Sequence, residues 1–113
     1  MRPEMRVYLL DDENRKFFGE GPYRLLRAVE ETGSLRAAAL SMDMAYTKAL
    51  KILRHAEQAL NCSLTTRSTG GKDGGGSRLT PEGKELLSKY ESYRDQCAEA
   101  NRRIYYQIFS PES

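Results

Sequence analysis

The stretch Arg67-Ser68-Thr69-Gly70-Gly71-Lys72-Asp73-Gly74-Gly75-Gly76-Ser77-Arg78-Leu79-Thr80-Pro81-Glu82-Gly83 carries three structural signals in a row. Five of the seven residues from 70 to 76 are glycine. Without Cβ atoms they cannot build a packed element, but they allow a tight hairpin tip and a close backbone approach to a ligand. Leu64-Thr65-Thr66-Arg67 before them reads as a short strand, and Arg78-Leu79 after them as its returning partner. Thr80-Pro81-Glu82-Gly83 then opens a helix, with threonine as N-cap, proline at the first position and an acid in the first turn. The predicted helix runs from 81 to about Ile108 and stops before Pro111. At 1.5 Å per residue it is roughly 40 Å long, more than a domain of this size covers by itself.

Upstream of the hairpin, two helices are predicted close together. Ser34 is a good N-cap for Leu35-Arg36-Ala37-Ala38-Ala39-Leu40-Ser41. Met42-Asp43-Met44 is too apolar for a loose surface loop. It reads as a tight turn with inward methionines and Asp43 in a left-handed or capping conformation. A helix over about 45–60 follows, with Ala49, Leu53, Ala56 and Leu60 facing inward and Leu50 and Glu57 flanking. Two short helices joined by about three residues make a helix-turn-helix unit. The inward stripe leaves Tyr46, Thr47, Lys48 and Lys51 outward near the start of the second helix, with Arg54 and His55 further along.

Further upstream, Tyr23–Glu31 has Leu25, Leu26 and Val29 at helical spacing, Pro22 suits its first turn, and Gly33 is its stop. Arg6–Leu10 reads as a strand, 11–14 as a turn and Arg15–Phe18 as a return strand, which Gly19 and Gly21 end. The fold class is therefore α+β, mainly α. It is a winged helix-turn-helix over residues 1–80 with an N-terminal β-hairpin, a reader helix at about 45–60 and a wing at about 64–80. A long C-terminal helix over 81–108 belongs to the same domain and serves dimerisation.

Charge follows this layout. The chain of 113 residues has a net charge of +2. Residues 1–33 and 81–113 each carry −1, and residues 34–80 carry +4. A basic middle that coincides with the helix pair and the hairpin is an electrostatic footprint for a polyanion. In that reading Tyr46, Thr47, Lys48, Lys51 and Arg54 meet base edges and phosphates from the reader helix. Arg67, Ser68, Thr69, Lys72 and Arg78 belong to the wing and its flanks, and Ser34 and Arg36 add phosphate contacts. The alternatives are a helical hairpin with a solvated charged face and a merely flexible loop. A nucleotide-binding loop is excluded, because Gly71-Lys72 is followed by aspartate rather than serine or threonine.

On the last helix, Leu86, Tyr90, Tyr93, Cys97, Ala100, Ile104 and Ile108 recur at heptad-like spacing, which suits a seam between two subunits. Tyr105, Tyr106 and Phe109 also call for cover. The opposing reading is a long helix folded back over its own domain.

Several classes are disfavoured. Cys62 and Cys97 make neither a zinc pattern nor a disulfide framework and fit a reducing cytoplasm. One histidine, His55, leaves no nucleophile–base arrangement, so no catalytic residue, metal or cofactor is assigned. Asp11-Asp12-Glu13 reads as turn chemistry rather than a metal cage. No apolar run is long enough for a membrane span.

Taken with Thr32-Gly33-Ser34-Leu35, Ala37-Ala38-Ala39 and Met44-Ala45-Tyr46, the glycine-rich hairpin with Leu79-Thr80-Pro81-Glu82-Gly83 resembles the N-terminal DNA-binding domain of the ModE family of molybdate-responsive transcriptional regulators. That domain is related to the winged helix of LysR-type regulators. The resemblance covers roughly residues 5–108. It implies a winged helix whose long helix pairs across a dimer with a contribution from the N-terminal region, and it implies binding to palindromic promoter sites. Tyr46, Thr47 and Lys48 would start the recognition helix, with Arg67 and Lys72 on the wing. The chain departs from the family at Asp43, where a turn glycine is common, at Ala45, where serine is common, and at Leu50, where some relatives carry tryptophan. The family's oxyanion site lies in additional C-terminal domains. The chain ends at Ser113 without room for them, so molybdate sensing is not carried over. The expectation is a cytoplasmic homodimer that binds double-stranded DNA as a regulator. The alternative is a winged-helix module that binds protein, as partner or antagonist of a full-length regulator.

Overall fold

Asp11 shapes the first turn of the chain. Its Oδ1 accepts from the amides of Glu13 and Arg15, both at 2.9 Å, and Asn14 takes a positive φ of 63°. These backbone donors hold the Asp11 carboxyl below its ordinary range, against a smaller opposing effect of burial. The computed structural model describes residues 1–68 and 76–110. The turn joins β1 (Leu9–Leu10) to β2 (Lys16–Phe18), which pair antiparallel with an irregular register. The strand expected from Arg6 is thus two residues long. Its predecessors run along the C-terminal helix instead, where the Val7 carbonyl accepts from the Tyr90 hydroxyl at 2.8 Å.

The first helix, α1 (Glu20–Thr32), starts earlier than the glycine pair suggests. Gly19 is its N-cap in extended backbone, and Gly21 and Pro22 lie in its first turn, where an amide has no helical partner to lose. Tyr23, Leu25, Leu26, Ala28 and Val29 are buried. Gly33 ends the helix at φ 78°, with its amide on the Val29 carbonyl.

Ser34 then caps α2 (Leu35–Ser41), its hydroxyl accepting from the Ala37 amide at 2.8 Å. Serine to alanine here is expected to cost about 1 kcal/mol. The check is chemical denaturation of Ser34→Ala beside the unmodified chain, and an unchanged midpoint would contradict it. Asp43 takes the left-handed conformation at φ 52°, and Met42 and Met44 pack against the core on either side of it. The tight turn delivers α3 (Tyr46–Leu60), whose Ala49, Leu53 and Ala56 are buried. Leu60, inward by its spacing, is instead exposed. It is the last helical residue before Asn61 turns off at φ 54°, and the fully buried Leu64 fills the core beyond it.

The second hairpin pairs β3 (Thr65–Ser68) with β4 (Gly76–Leu79) antiparallel, from Thr65 opposite Leu79 to Ser68 opposite Gly76. The Ser77 amide donates to the Gly33 carbonyl at 2.7 Å, which ties the hairpin base to the α1–α2 junction. Leu79 closes the core, and α4 (Pro81–Phe109) leaves from it. Thr80 caps this helix as predicted, its hydroxyl accepting from the Gly83 amide at 3.0 Å. Glu57 accepts from the Leu64 amide at 2.8 Å, and Thr80 donates from its amide to the Leu64 carbonyl at 3.0 Å.

Only the first third of α4 joins the core. Gly83, Leu87 and Tyr90 are its buried residues, and Tyr90 meets Phe18 edge-on at 5.2 Å between ring centroids. Tyr90 therefore corrects the seam expectation. At 3% exposure, with its hydroxyl on Val7 and its ring between Phe18 and Tyr23, it has no surface left for a partner. Burial, followed by the charge of Glu20, pushes its phenol above the ordinary value. Around it, Arg27 pairs with Glu91 and Arg94 with Glu20, joining α1 to α4. Beyond this point the helix runs clear of the core, and the protein extends 60 × 29 × 25 Å.

Candidate nucleic-acid interface

With Ala49, Leu53 and Ala56 committed to the core, the 3.6-residue period dictates the opposite face of α3. That face carries Thr47, Lys51, Arg54 and Gln58, all exposed, with exposed Lys48 on its flank. Tyr46 is half-buried and packs against the core. Ala45, the N-cap, offers no side-chain acceptor, so the first amides of α3 keep their partial positive charge beside Thr47 and Lys48.

Charge pairing divides the molecule. On α1 and α4, Arg24, Arg27, Lys89, Arg94 and Arg102 have carboxylate partners, and only Lys84 and Arg103 of these two helices make no ion pair among the described residues. Arg36, Lys48, Lys51, Arg54, Arg67 and Arg78 make no ion pair among the described residues. Unpaired cations on one face repel each other at modest cost and attract a polyanion. His55 does not join them. Its Nε2 lies 3.4 Å from Asp11 Oδ2, between the reader helix and the first turn, rather than toward the basic face.

The reader helix and the hairpin meet at one place. Leu35, Arg36, Tyr46, Arg67, Gly76 and Ser77 line a cleft of about 230 Å³ between the starts of α2 and α3 and the hairpin base. The Arg36 guanidinium lies over the Tyr46 ring, 4.3 Å from its centroid. Arg67 and Arg78 are exposed on facing strands, and Ser68 sits opposite Gly76. A Cβ on Gly76 would come 3.0 Å from the Ser68 Cβ and 3.4 Å from the Gly33 carbonyl oxygen, so this glycine serves close packing of the hairpin base. Thr69 and Lys72 lie outside the described residues. Ser34 is occupied as a cap, leaving Arg36 as the side chain from that turn that is free for a phosphate.

Gln58 and Ser77 are additions that the structure makes to the sequence-predicted set. Gln58 follows Arg54 by four residues on the face already named, so helical spacing alone could have found it. Ser77 is recognisable only from the folded cleft. On α4, Leu86 packs against the core, Cys97 and Ala100 are half-buried, and Tyr93, Ile104 and Ile108 are exposed.

A three-helix core with a capped turn, a basic outward helix and a two-stranded hairpin beside it defines a winged helix-turn-helix protein. Residues 22–84 match the family described as bacterial regulatory helix-turn-helix protein, lysR family. The chain belongs to that family, which makes it a carrier of a DNA-binding regulatory domain rather than of a catalytic one. It is also similar to the molybdenum transport protein ModE of Herbaspirillum seropedicae, 42% identical over 66 residues, covering 58% of this chain and 24% of that protein. The molybdenum-pterin-binding protein MopB of Rhodobacter capsulatus is 38% identical over 66 residues, covering 58% of this chain and 24% of that one. The match thus spans about a quarter of the length of these relatives. Among solved structures, the DNA-binding domain of CbnR, in a complex with DNA, superposes with a TM-score of 0.59 at 21% identity, covering 77% of this chain and 94% of that one. ArgP from Mycobacterium tuberculosis gives 0.54 at 25% identity, over 72% of this chain and 28% of that one. Among the described residues no helix is long and apolar enough to cross a membrane.

Proposed function

We propose that the chain regulates transcription as a dimer that recognises a palindromic duplex site, with α3 in the major groove and the hairpin on the flanking backbone. The observation that carries this reading is the uneven pairing of charge, in which all six cations of α2, α3 and the hairpin stand unpaired among the described residues while five of the seven on α1 and α4 have carboxylate partners. In the proposed division of labour, Tyr46, Thr47, Lys48, Lys51 and Arg54 serve the reader helix. Arg67, Ser68, Thr69, Lys72 and Arg78 serve the wing, and Arg36 lies over a phosphate beside the Ser34 cap. Membership of a family of bacterial regulatory helix-turn-helix proteins supports a regulatory role, proposed here for the cytoplasm, where bacterial DNA lies. The residues of this chain give no reason to extend it to molybdate.

Selection of duplex sites from a random pool by the purified protein tests the proposal. Enrichment of a two-fold symmetric site is expected. Replacing Lys48 and Lys51 together by alanine should lower the ratio of specific to non-specific affinity about tenfold or more, since a good base contact discriminates by roughly 1–3 kcal/mol. Arg78→Ala should weaken all duplexes alike and flatten the salt dependence. Equal, sequence-independent losses from both changes would contradict the division between reader and wing. The second reading, a module that binds protein, rests on the exposed tyrosines, isoleucines and phenylalanine at the end of α4. It would be favoured if the pool yields no enriched duplex while a protein partner co-purifies.

A further inference from the structure

The basic face holds one contact that its charges alone do not explain. Arg36 sits on α2 and Tyr46 opens α3, so the two are joined only through the tight turn between the helices. The guanidinium nevertheless lies 4.3 Å from the ring centroid, closer than the 4.8, 5.0 and 5.7 Å of the other cation–ring pairs among the described residues. Tyr46 is packed against the core and so is a fixed plate, whereas Arg36 is exposed and has no ion pair among the described residues. Across the cleft stands Arg67, on a hairpin whose base is anchored by the Ser77–Gly33 bond of 2.7 Å. The cleft has room for several water molecules, at roughly 30 Å³ each, or for one phosphate in their place.

We propose that Tyr46 is a positioning residue rather than a DNA contact, its ring holding the Arg36 guanidinium opposite Arg67 so that the two arginines clamp a single phosphodiester between reader helix and wing. This rests on the duplex binding proposed above and assigns one phosphate to one place. A free arginine carries large rotamer entropy, which it would otherwise lose on binding. An aromatic face restrains it beforehand without neutralising it, because the ring supplies quadrupole rather than charge. A carboxylate in the same position would hold the arginine but cancel its attraction for phosphate. The hydroxyl of Tyr46 has no part in this scheme.

The test compares Tyr46→Phe, Tyr46→Leu, Arg36→Ala, Arg36→Lys and the double change Arg36→Ala with Tyr46→Leu, each titrated with the selected duplex over a range of salt. Tyr46→Phe keeps the plate and should bind within about twofold of the unmodified chain. Tyr46→Leu should lose about three- to fivefold, in line with an exposed cation–ring pair. Arg36→Ala should lose about tenfold and reduce the slope of log affinity against log salt by about one. Adding Tyr46→Leu to Arg36→Ala should cost nothing further, because the plate then has nothing to hold. Arg36→Lys alters only an exposed side chain, so it reports even where Tyr46→Leu fails to fold. It keeps the charge but lacks the planar group, and it should lose about threefold with the salt slope unchanged.

If Tyr46→Phe binds as poorly as Tyr46→Leu, the hydroxyl contacts DNA directly and the proposal falls. It falls equally if the losses at Arg36 and Tyr46 simply add, or if Arg36→Lys binds like the unmodified chain. An unmodified chain that binds no duplex overturns the proposed function and this inference together, whereas normal binding with the wrong pattern among the variants overturns only the inference.

Discussion

Gly83→Ala is expected to lower the melting temperature by about 10 °C, the largest loss foreseen for a change of one methyl group. A Cβ at this position would lie 2.3 Å from the Leu64 carbonyl oxygen and 3.2 Å from its carbon. Neither atom can retreat freely. The Leu64 oxygen accepts the Thr80 amide, the Leu64 amide is held by Glu57, and the Leu64 side chain is fully buried. The new methyl must therefore push backbone against backbone at the root of α4. Overpacking that shifts side chains and backbone costs about 1–3 kcal/mol, and a contact of 2.3 Å with fixed backbone belongs at the upper end. Alanine's better helix propensity returns about 1 kcal/mol at most, and each net kcal/mol shifts melting by roughly 4–8 °C in small domains. Gly21→Ala is the control, because a Cβ there would meet nothing within 4 Å and the residue occupies an exposed first turn. Thermal melts of the two variants check the comparison. A Gly83→Ala chain that melts with the control would mean that α4 does not start against Leu64.

Ile104→Asp should split the proposed dimer and reduce affinity for a two-fold site by about 100-fold or more, because two linked readers would gain roughly 10²–10⁴ over one. Tyr93, Ile104, Ile108 and Phe109 are 51%, 49%, 69% and 58% exposed on a helix that has already left the core. Large apolar side chains gathered on a helix clear of the core are the kind of surface that suits a subunit contact. Ile104 makes no contribution to the core cluster, so the protomer should fold normally with aspartate there. Sedimentation and duplex titration together check this. A variant that stays dimeric with unchanged affinity would move the subunit contact elsewhere.

The residues that can be read in sequence are those whose role is local. Ser34, Gly33 and Thr80 cap helices through bonds to residues three or four positions away, and each sits where its chemistry places it. Lys51 and Arg54 follow from the period of α3 once Ala49 and Leu53 are known to be inward. Features that depend on distant chain are not legible. Heptad spacing groups Tyr90 with Tyr93 and Cys97, but spacing does not say what covers a face, and Phe18 and Tyr23 claim Tyr90 first. Arg6, Val7 and Tyr8 alternate like a strand, yet Val7 bonds to a tyrosine 83 residues away. The Gly19-Glu20-Gly21 run reads as a break because glycine weakens a helix interior, whereas in a first turn that cost largely vanishes. The stack of Arg36 on Tyr46 crosses a turn, and no pattern along the chain encodes it.

The position of Tyr90 also makes α4 a lever. Its core-bound root ends there, and Phe109 lies about 28 Å further along the axis at 1.5 Å per residue. A tilt of about 5° at the root therefore swings the far end by about 2.5 Å. In a pair joined through those far ends the relation runs in reverse. In the proposed dimer, small repacking around Tyr90, Phe18 and Tyr23 would reset the distance between the two reader helices, so buried aromatic rings would set the spacing of the half-sites.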